Sequence, residues 1–202
     1  MPQLRAGAAR SNITPPLGCE IAGDFNVRLA ENIGDELFAK SIVAENGDTA
    51  LAICVVDLIA ATREQLAVAK ARAAQLTGIP VENIFISCTH THYAPSPLPH
   101  FNVGAETEYL QWAMERTGDS IKRAQNALRP AEVAHASGCC PEETHNRRWL
   151  MKDGSVRMNP GHQHPDLVKP AGPTDPEVGL LLLRDLDRAP IAALANYSLH
   201  YV

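Results

Sequence analysis

No stretch of this sequence is apolar for long enough to span a bilayer, and it contains no low-complexity tract and no internal repeat. A transmembrane helix, a fibre and a solenoid are thereby excluded as readings. A basic cluster is also missing. The formal net charge is -5 and the Arg147-Arg148 pair is too small to be a patch, which argues against a general binder of nucleic acid or of an anionic membrane. The cysteines are five, an odd number, and no two of them form a CxxC pair. Cys54 and Cys88 lie inside apolar runs and read as reduced core residues, and the vicinal Cys139-Cys140 pair reads as ordinary thiols. Nor is there a basic, then apolar, leader at the start: Met1-Pro2-Gln3 runs straight into domain-like sequence. With no signal peptide visible, the expected location is the cytoplasm, or outside the cell if the true N-terminus lies upstream.

What is present suits a globular core, with 45% hydrophobic and 20% charged residues and no linker-like segment, so the 202 residues are taken as one unit. Residues 4–10 form an opening strand, and the prolines of Asn12-Ile13-Thr14-Pro15-Pro16 forbid a helix after it. Two apolar runs, 37–45 and 49–58, are joined through Asn46-Gly47-Asp48, a hairpin signal. Thr62 is placed to cap a helix over 63–76 with Leu66, Ala69, Ala73 and Leu76 on one face, stopped by Gly78 and Pro80. A strand over 83–88 follows. A second helix spans about 105–128, with Leu110, Ala113, Met114, Ile121, Ala124 and Leu128 apolar, and 131–137 is a strand. Residues 141–175 read as a long polar loop, and 177–184 with 191–199 as a strand pair turned at Asp187-Arg188-Ala189-Pro190. The pattern predicts an α/β fold: a mixed β-sheet with strand hairpins, flanked by helices.

Within Ile86-Ser87-Cys88-Thr89-His90-Thr91-His92-Tyr93-Ala94-Pro95 an apolar strand ends in two histidines and then a proline-rich loop. His200 closes a later apolar strand in the same way. Strand ends are where sheet proteins build sites, and neutral imidazole is the commonest zinc ligand. In an extended chain residues i and i+2 face one side, so His90 and His92 can address one pocket, or they can simply be polar caps hydrogen-bonded to backbone. His162 and His164 repeat the spacing in the polar loop and are read as solvated; His100 and His135 are read the same way. Asp57, at a strand end, is either a turn residue or a carboxylate that orients a ligating imidazole.

Several of these stretches, in their order and spacing, resemble the neutral, non-lysosomal ceramidase family. Residues 7–18, GAARSNITPPLG, are similar to its opening strand and D-I-T-P-P-x-G turn, with Asn12 where Asp is usual. Residues 37–57 resemble its hairpin whose second strand ends in Asp. Residues 83–95 resemble N-x-x-x-S-x-T-H-T-H-S-G-P, with Tyr93-Ala94 replacing Ser-Gly. His145-Asn146-Arg147 resembles the N-R-S segment, and Asn196 to His200 the strand ending in N-x-x-x-H-P. The resemblance implies a zinc ion held by His90 and His200, with His92 and Arg147 lining the pocket and meeting the scissile amide. It implies an N-acyl amide as substrate, a ceramide-like lipid among the choices, and no nucleic-acid partner. Two ligands of one tetrahedral zinc are expected to converge to within about 4 Å. The family's remaining ligands, a Glu and a Tyr, would lie beyond residue 202, so the chain is expected to be the N-terminal part of such a domain and inactive by itself. Hydrolysis of other small amides or esters, or a non-catalytic binding domain of the same fold, are the alternatives.

Overall fold

The computed structural model describes residues 3–99, 102–161 and 163–200. Twelve strands and two helices follow in the order β1 (Arg5–Asn12), β2 (Glu20–Ile21), β3 (Arg28–Leu29), β4 (Phe38–Asn46), β5 (Thr49–Val56), α1 (Arg63–Thr77), β6 (Ile84–Cys88), α2 (Thr107–Asn126), β7 (Arg129–Cys139), β8 (Arg148–Met151), β9 (Val156–Met158), β10 (Leu167–Pro170), β11 (Glu177–Asp185) and β12 (Pro190–Tyr197). Seven strands form one sheet in the order β12-β11-β7-β1-β4-β5-β6. The sheet is mixed: β4 runs antiparallel to β1 and to β5, whereas β5 and β6 are parallel. That parallel pair is joined through α1, as a crossover connection requires. The α/β expectation with hairpins and flanking helices therefore holds.

The chain divides into two compact units, one built from Met1–Val133 with Leu182–Ala192 and the other from Ala134–Leu181 with Ala193–Tyr201. In the first, period-two alternation sends Ala39 and Val43 of β4, Ala52, Cys54 and Val56 of β5, and Ile84 and Ile86 of β6 into the core. They meet Ala69 and Ala73 of α1 and Leu110, Ala113, Met114, Ile121 and Ala124 of α2. Each large aliphatic side chain buried this way contributes roughly 1.5–3 kcal/mol of transfer free energy. Hydrogen bonds from α2 fix its seat on the sheet: Ser120 Oγ donates to the Ala39 carbonyl at 2.9 Å and Tyr109 Oη to that of Ile13 at 2.6 Å.

Helix α1 begins and ends as its sequence predicts. The Gln65 amide donates to Thr62 Oγ1 at 3.2 Å while the Thr62 amide donates to Gln65 Oε1 at 2.8 Å, a reciprocal cap. Gly78 closes the helix with φ +76, its N–H donating to the Ala74 carbonyl at 2.9 Å. Leu76 departs from expectation, being 37% exposed. Helical period alone does not report which residues of a last turn a partner covers.

The second unit corrects the reading of 141–175 as a structureless loop. It contains a three-stranded antiparallel sheet, β10-β8-β9, in which Trp149 pairs with Arg157 and with Pro170. The β8–β9 turn is organised by Asp153, whose carboxylate accepts the Ser155 amide at 2.9 Å and its hydroxyl at 2.6 Å. These bonds from Ser155 hold the Asp153 carboxyl below its ordinary pKa. The strands are only three or four residues long and mostly exposed, so no buried face imprints an apolar period on the sequence.

Candidate metal centre

Strand β6 is the edge of the large sheet, and its pairing with β5 continues past its end: the Thr89 amide donates to the Val56 carbonyl and the His90 amide to that of Leu58, each at 3.0 Å. His90 then adopts φ +62, a left-handed conformation uncommon outside glycine. Such a residue costs of order 1–3 kcal/mol and persists where its surroundings hold it in place. The two histidines are therefore not neighbours on one face of an extended strand, as their spacing suggested. A left-handed turn brings them together instead, with ring centroids 5.1 Å apart and planes 76° from parallel.

Each imidazole is oriented by a backbone carbonyl. His90 Nδ1 lies 2.7 Å from the Ile59 oxygen and His92 Nδ1 lies 3.0 Å from the Gly23 oxygen. A carbonyl oxygen can only accept, so in both rings Nδ1 carries a proton, and it is Nε2 that a neutral ring offers as a lone pair. That is the arrangement by which metal-ligating histidines are usually held.

The proline loop that follows is packed rather than floppy. Pro95, Ser96 and Pro97 are buried, Gln65 Nε2 at the start of α1 donates to the Pro97 carbonyl at 2.7 Å, and the Ala22 amide donates to that of Ala94 at 2.9 Å. A small apolar cavity of about 170 Å³ opens beside His90, lined by Ala22, Gly23, Ile59, Pro97, Leu98 and Val103.

His90 and His92 each offer one ring nitrogen, and these atoms lie within 4.8 Å of one another. Zinc–nitrogen bonds of ~2.0–2.1 Å in a tetrahedron place ligand atoms about 3.4 Å apart, so metal capture requires only a small contraction. The donor set fits such an ion, because neutral imidazole suits zinc and both rings have their other nitrogen committed to a carbonyl. Cys88, two residues from His90, is not suited to join them at neutral pH, since burial pushes its thiol up to about 11.

Each of the other sequence candidates has its own local setting. Asp57 does not orient an imidazole: its carboxylate accepts the Phe38 amide at 2.9 Å and faces the Lys40 ammonium, which makes it the strand-end residue of the β4–β5 hairpin. Arg147 is exposed on the loop before β8 and lines an open cavity of about 330 Å³ with His145, Asn146, Asp175 and Ser198. Its backbone is fixed by the Asn159 amide, and its guanidinium makes no hydrogen bond or ion pair among the described residues. Asn146 shapes this loop by donating to the Pro173 carbonyl and accepting the Arg148 amide, both at 3.0 Å. His135 is exposed on β7. His164, expected in solvent, is half-buried and uses Nδ1 to accept the Asp166 amide at 3.2 Å. His100 and His162 lie outside the described residues.

Sequence reasoning passed over Gly23 and Arg28, both of which touch His92. Arg28 donates to the His92 carbonyl at 2.7 Å and to that of Ala22 at 2.9 Å. The one local signal for Gly23 is a glycine shortly after a proline-rich turn, and nothing in the linear sequence ties it to a histidine 69 positions later.

No family model matches the chain, and no curated protein sequence matches it. Solved structures do. The chain superposes on a neutral ceramidase from Pseudomonas aeruginosa with a TM-score of 0.72 and 21% identity, over 98% of this chain and 32% of that one. A second structure, a ceramidase complexed with C2, gives a TM-score of 0.71 and 20% identity over 98% and 31% of the two chains. The fold is ceramidase-like. The chain spans about a third of the length of the solved chains it matches. Among the described residues no helix is long and apolar enough to cross a membrane.

Proposed function

We propose that this chain carries the metal-binding part of a zinc-dependent amide hydrolase of the ceramidase type, acting on an N-acyl amide. The observation that supports this reading most directly is the pair of imidazoles, His90 and His92, set edge to face with each Nδ1 held by a backbone carbonyl. A zinc ion bound there would lower the pKa of its water to about 7 and polarise a carbonyl, the two things amide hydrolysis lacks in plain water. His90 and His200 are the ligands in this reading. His92 lines the pocket in this reading and meets the scissile amide, and the permanently charged fork of Arg147 receives the negative charge that develops on the amide oxygen. The apolar cavity beside His90 suits an alkyl segment of the substrate. A lipid amide such as a ceramide is the substrate class suggested by the proteins of similar fold.

The deciding experiment is a zinc titration of the 202-residue protein by calorimetry, with His90→Ala and His200→Ala beside the wild type, followed by N-acyl amide hydrolysis in the intact gene product. One zinc per chain that is lost in both variants supports the reading. A stable, folded wild type that takes up no zinc rejects it in favour of a non-catalytic domain of the same fold. Substrates of rising acyl length then separate a lipid amidase from a hydrolase of small amides or esters. Each methylene buried in an apolar site is worth about 0.8 kcal/mol, or roughly fourfold in kcat/KM, and only the lipid amidase shows that gain.

A further inference from the structure

We propose that Gly23 and Arg28 form a cradle that sets the orientation and tautomer of His92, which makes them positioning residues for the hydrolysis; this rests on the hydrolase reading above. His90 and His92 are supported in different ways. The carbonyl that holds His90 belongs to Ile59, directly after the segment that continues the β5–β6 ladder, so the large sheet itself fixes that ring. His92 receives its carbonyl from Gly23, in the loop between β2 and β3 and outside that sheet.

That loop holds His92 at both ends. On the ring side, the Gly23 oxygen stands 3.0 Å from Nδ1. On the backbone side, one terminal nitrogen of the Arg28 guanidinium donates to the His92 carbonyl and to the Ala22 carbonyl, so a single cation ties His92 to the residue preceding Gly23. Arg28 is itself held, with its guanidinium carbon 5.1 Å from the centroid of the Tyr93 ring and Nε 3.8 Å from the Asp24 carboxylate. The loop is registered against the histidine segment by the Ala22 to Ala94 hydrogen bond and by a bridge between Ile21 and Pro95.

Glycine is required at 23 for two separable reasons. Its φ is +97, which disfavours any side chain. A Cβ there would also fall well inside 3.0 Å of the His92 Cβ, Cγ and Nδ1, closer than real Cβ atoms approach anything, so the ring would have to move. Gly18 separates the two effects. It has nearly the same backbone conformation, φ +87, yet a Cβ added there meets nothing within 4 Å. Alanine at 18 therefore carries the backbone penalty alone, and alanine at 23 carries the penalty together with displacement of the imidazole.

The test uses the 202-residue protein as wild type, Gly23→Ala, Arg28→Ala and Gly18→Ala. Long-range ¹H–¹⁵N correlation spectra of the imidazoles give each tautomer without metal, and calorimetry gives zinc affinity. The expected wild-type result is a His92 with its proton on Nδ1. In Gly23→Ala that single tautomer is lost at His92 and kept at His90, while zinc affinity, carried by His90 and His200, falls by less than the roughly tenfold that loss of a group supporting a metal ligand costs. Arg28→Ala, which adds no atom, mixes the His92 tautomers and likewise leaves most of the zinc affinity in place. Gly18→Ala leaves both readouts at wild-type values. An unchanged His92 tautomer in Gly23→Ala overturns the cradle, as does an equal effect of Gly18→Ala. If Gly23→Ala does not fold, Arg28→Ala decides, and an unaltered His92 in it overturns the cradle. A wild type that binds no zinc ends the hydrolase reading, while the metal-free tautomers still decide the cradle.

Discussion

Asp57 closes the end of β5 against Lys40, whose Nζ lies 2.9 Å from Oδ2, and the same oxygen accepts the amide of Phe38 where β4 begins. The carboxylate is nearly buried and half of its work is to satisfy a main-chain donor, so it fastens the hairpin that precedes the histidines. Replacing it by alanine should cost about 1–3 kcal/mol, the penalty for leaving a buried donor unsatisfied. Thermal unfolding checks this, and zinc affinity should remain within about threefold of wild type. A tenfold loss of zinc in a well-folded Asp57→Ala would restore the alternative in which Asp57 supports a ligand.

The three candidate histidines, His90, His92 and His200, should separate by role. His90→Ala and His200→Ala should each weaken zinc binding by more than the ~10–100-fold seen when only a supporting group is lost. His92→Ala should lose less zinc and more turnover. His135→Ala and His145→Ala, exposed residues outside the group, should change neither. Equal zinc loss in all three site variants would make His92 a full ligand.

Arg147 is assigned to the oxyanion and not to the metal. Arg147→Ala in the intact gene product should lower kcat by about 10²–10³, the usual cost of removing one such donor. Zinc affinity should be unaltered. A fall in both would indicate that the substitution disturbs the 144–148 loop, and Arg147→Lys would then retain the fold while still losing turnover, because a lysine lacks the planar fork.

The buried thiols make the fold sensitive to alkali. Burial pushes Cys54 up to about 12 from an unfolded value of 9.0, and Cys88 up to about 11. Groups whose folded pKa is raised stabilise the fold fully below the unfolded value, and that stability disappears as the pH climbs toward the folded value. Unfolding free energy should therefore be flat with respect to these thiols at neutral pH and decline above about pH 9. Cys54→Ser should flatten the decline, and at pH 8 a thiol reagent should label exposed Cys139 well ahead of Cys54.

The cap of α1 has consequences beyond the helix. Thr62→Ala should cost about 1 kcal/mol. Gln65, freed from the reciprocal cap, also carries the hydrogen bond to the Pro97 carbonyl beside the small cavity, so hydrogen exchange in residues 94–98 should quicken together with that of the first turn. Faster exchange in the helix alone would show that the two are independent.

The large elements were legible because each is a local pattern with one dominant cause. Apolar alternation made β4 and β5 readable, Asn46-Gly47 their turn, and Thr62 with Gly78 the ends of α1, and in each case the residues that dictate the structure are within a few positions of one another. Residues 148–170 failed for the opposite reason: β8, β9 and β10 are three or four residues long and mostly exposed, so no buried face imprinted a period on them. A turn signal, Asp153-Gly154, was there between alternating segments and is the clue that could have revealed them.

For the site, the sequence by itself determined which side chains are imidazoles and that two of them sit where an apolar strand ends. Their convergence was decided by tertiary structure. A left-handed turn at His90 sets its ring against that of His92. The Ile59 and Gly23 carbonyls that commit Nδ1, the diversion of Asp57 to Lys40, and the Arg28 clamp all join residues 17 to 69 positions apart. Such pairings leave no periodic trace in a single chain, because a hydrogen bond to a carbonyl uses an atom that every residue possesses. Residue types are written in the sequence, whereas which lone pair faces which proton is fixed only when the backbone is in place.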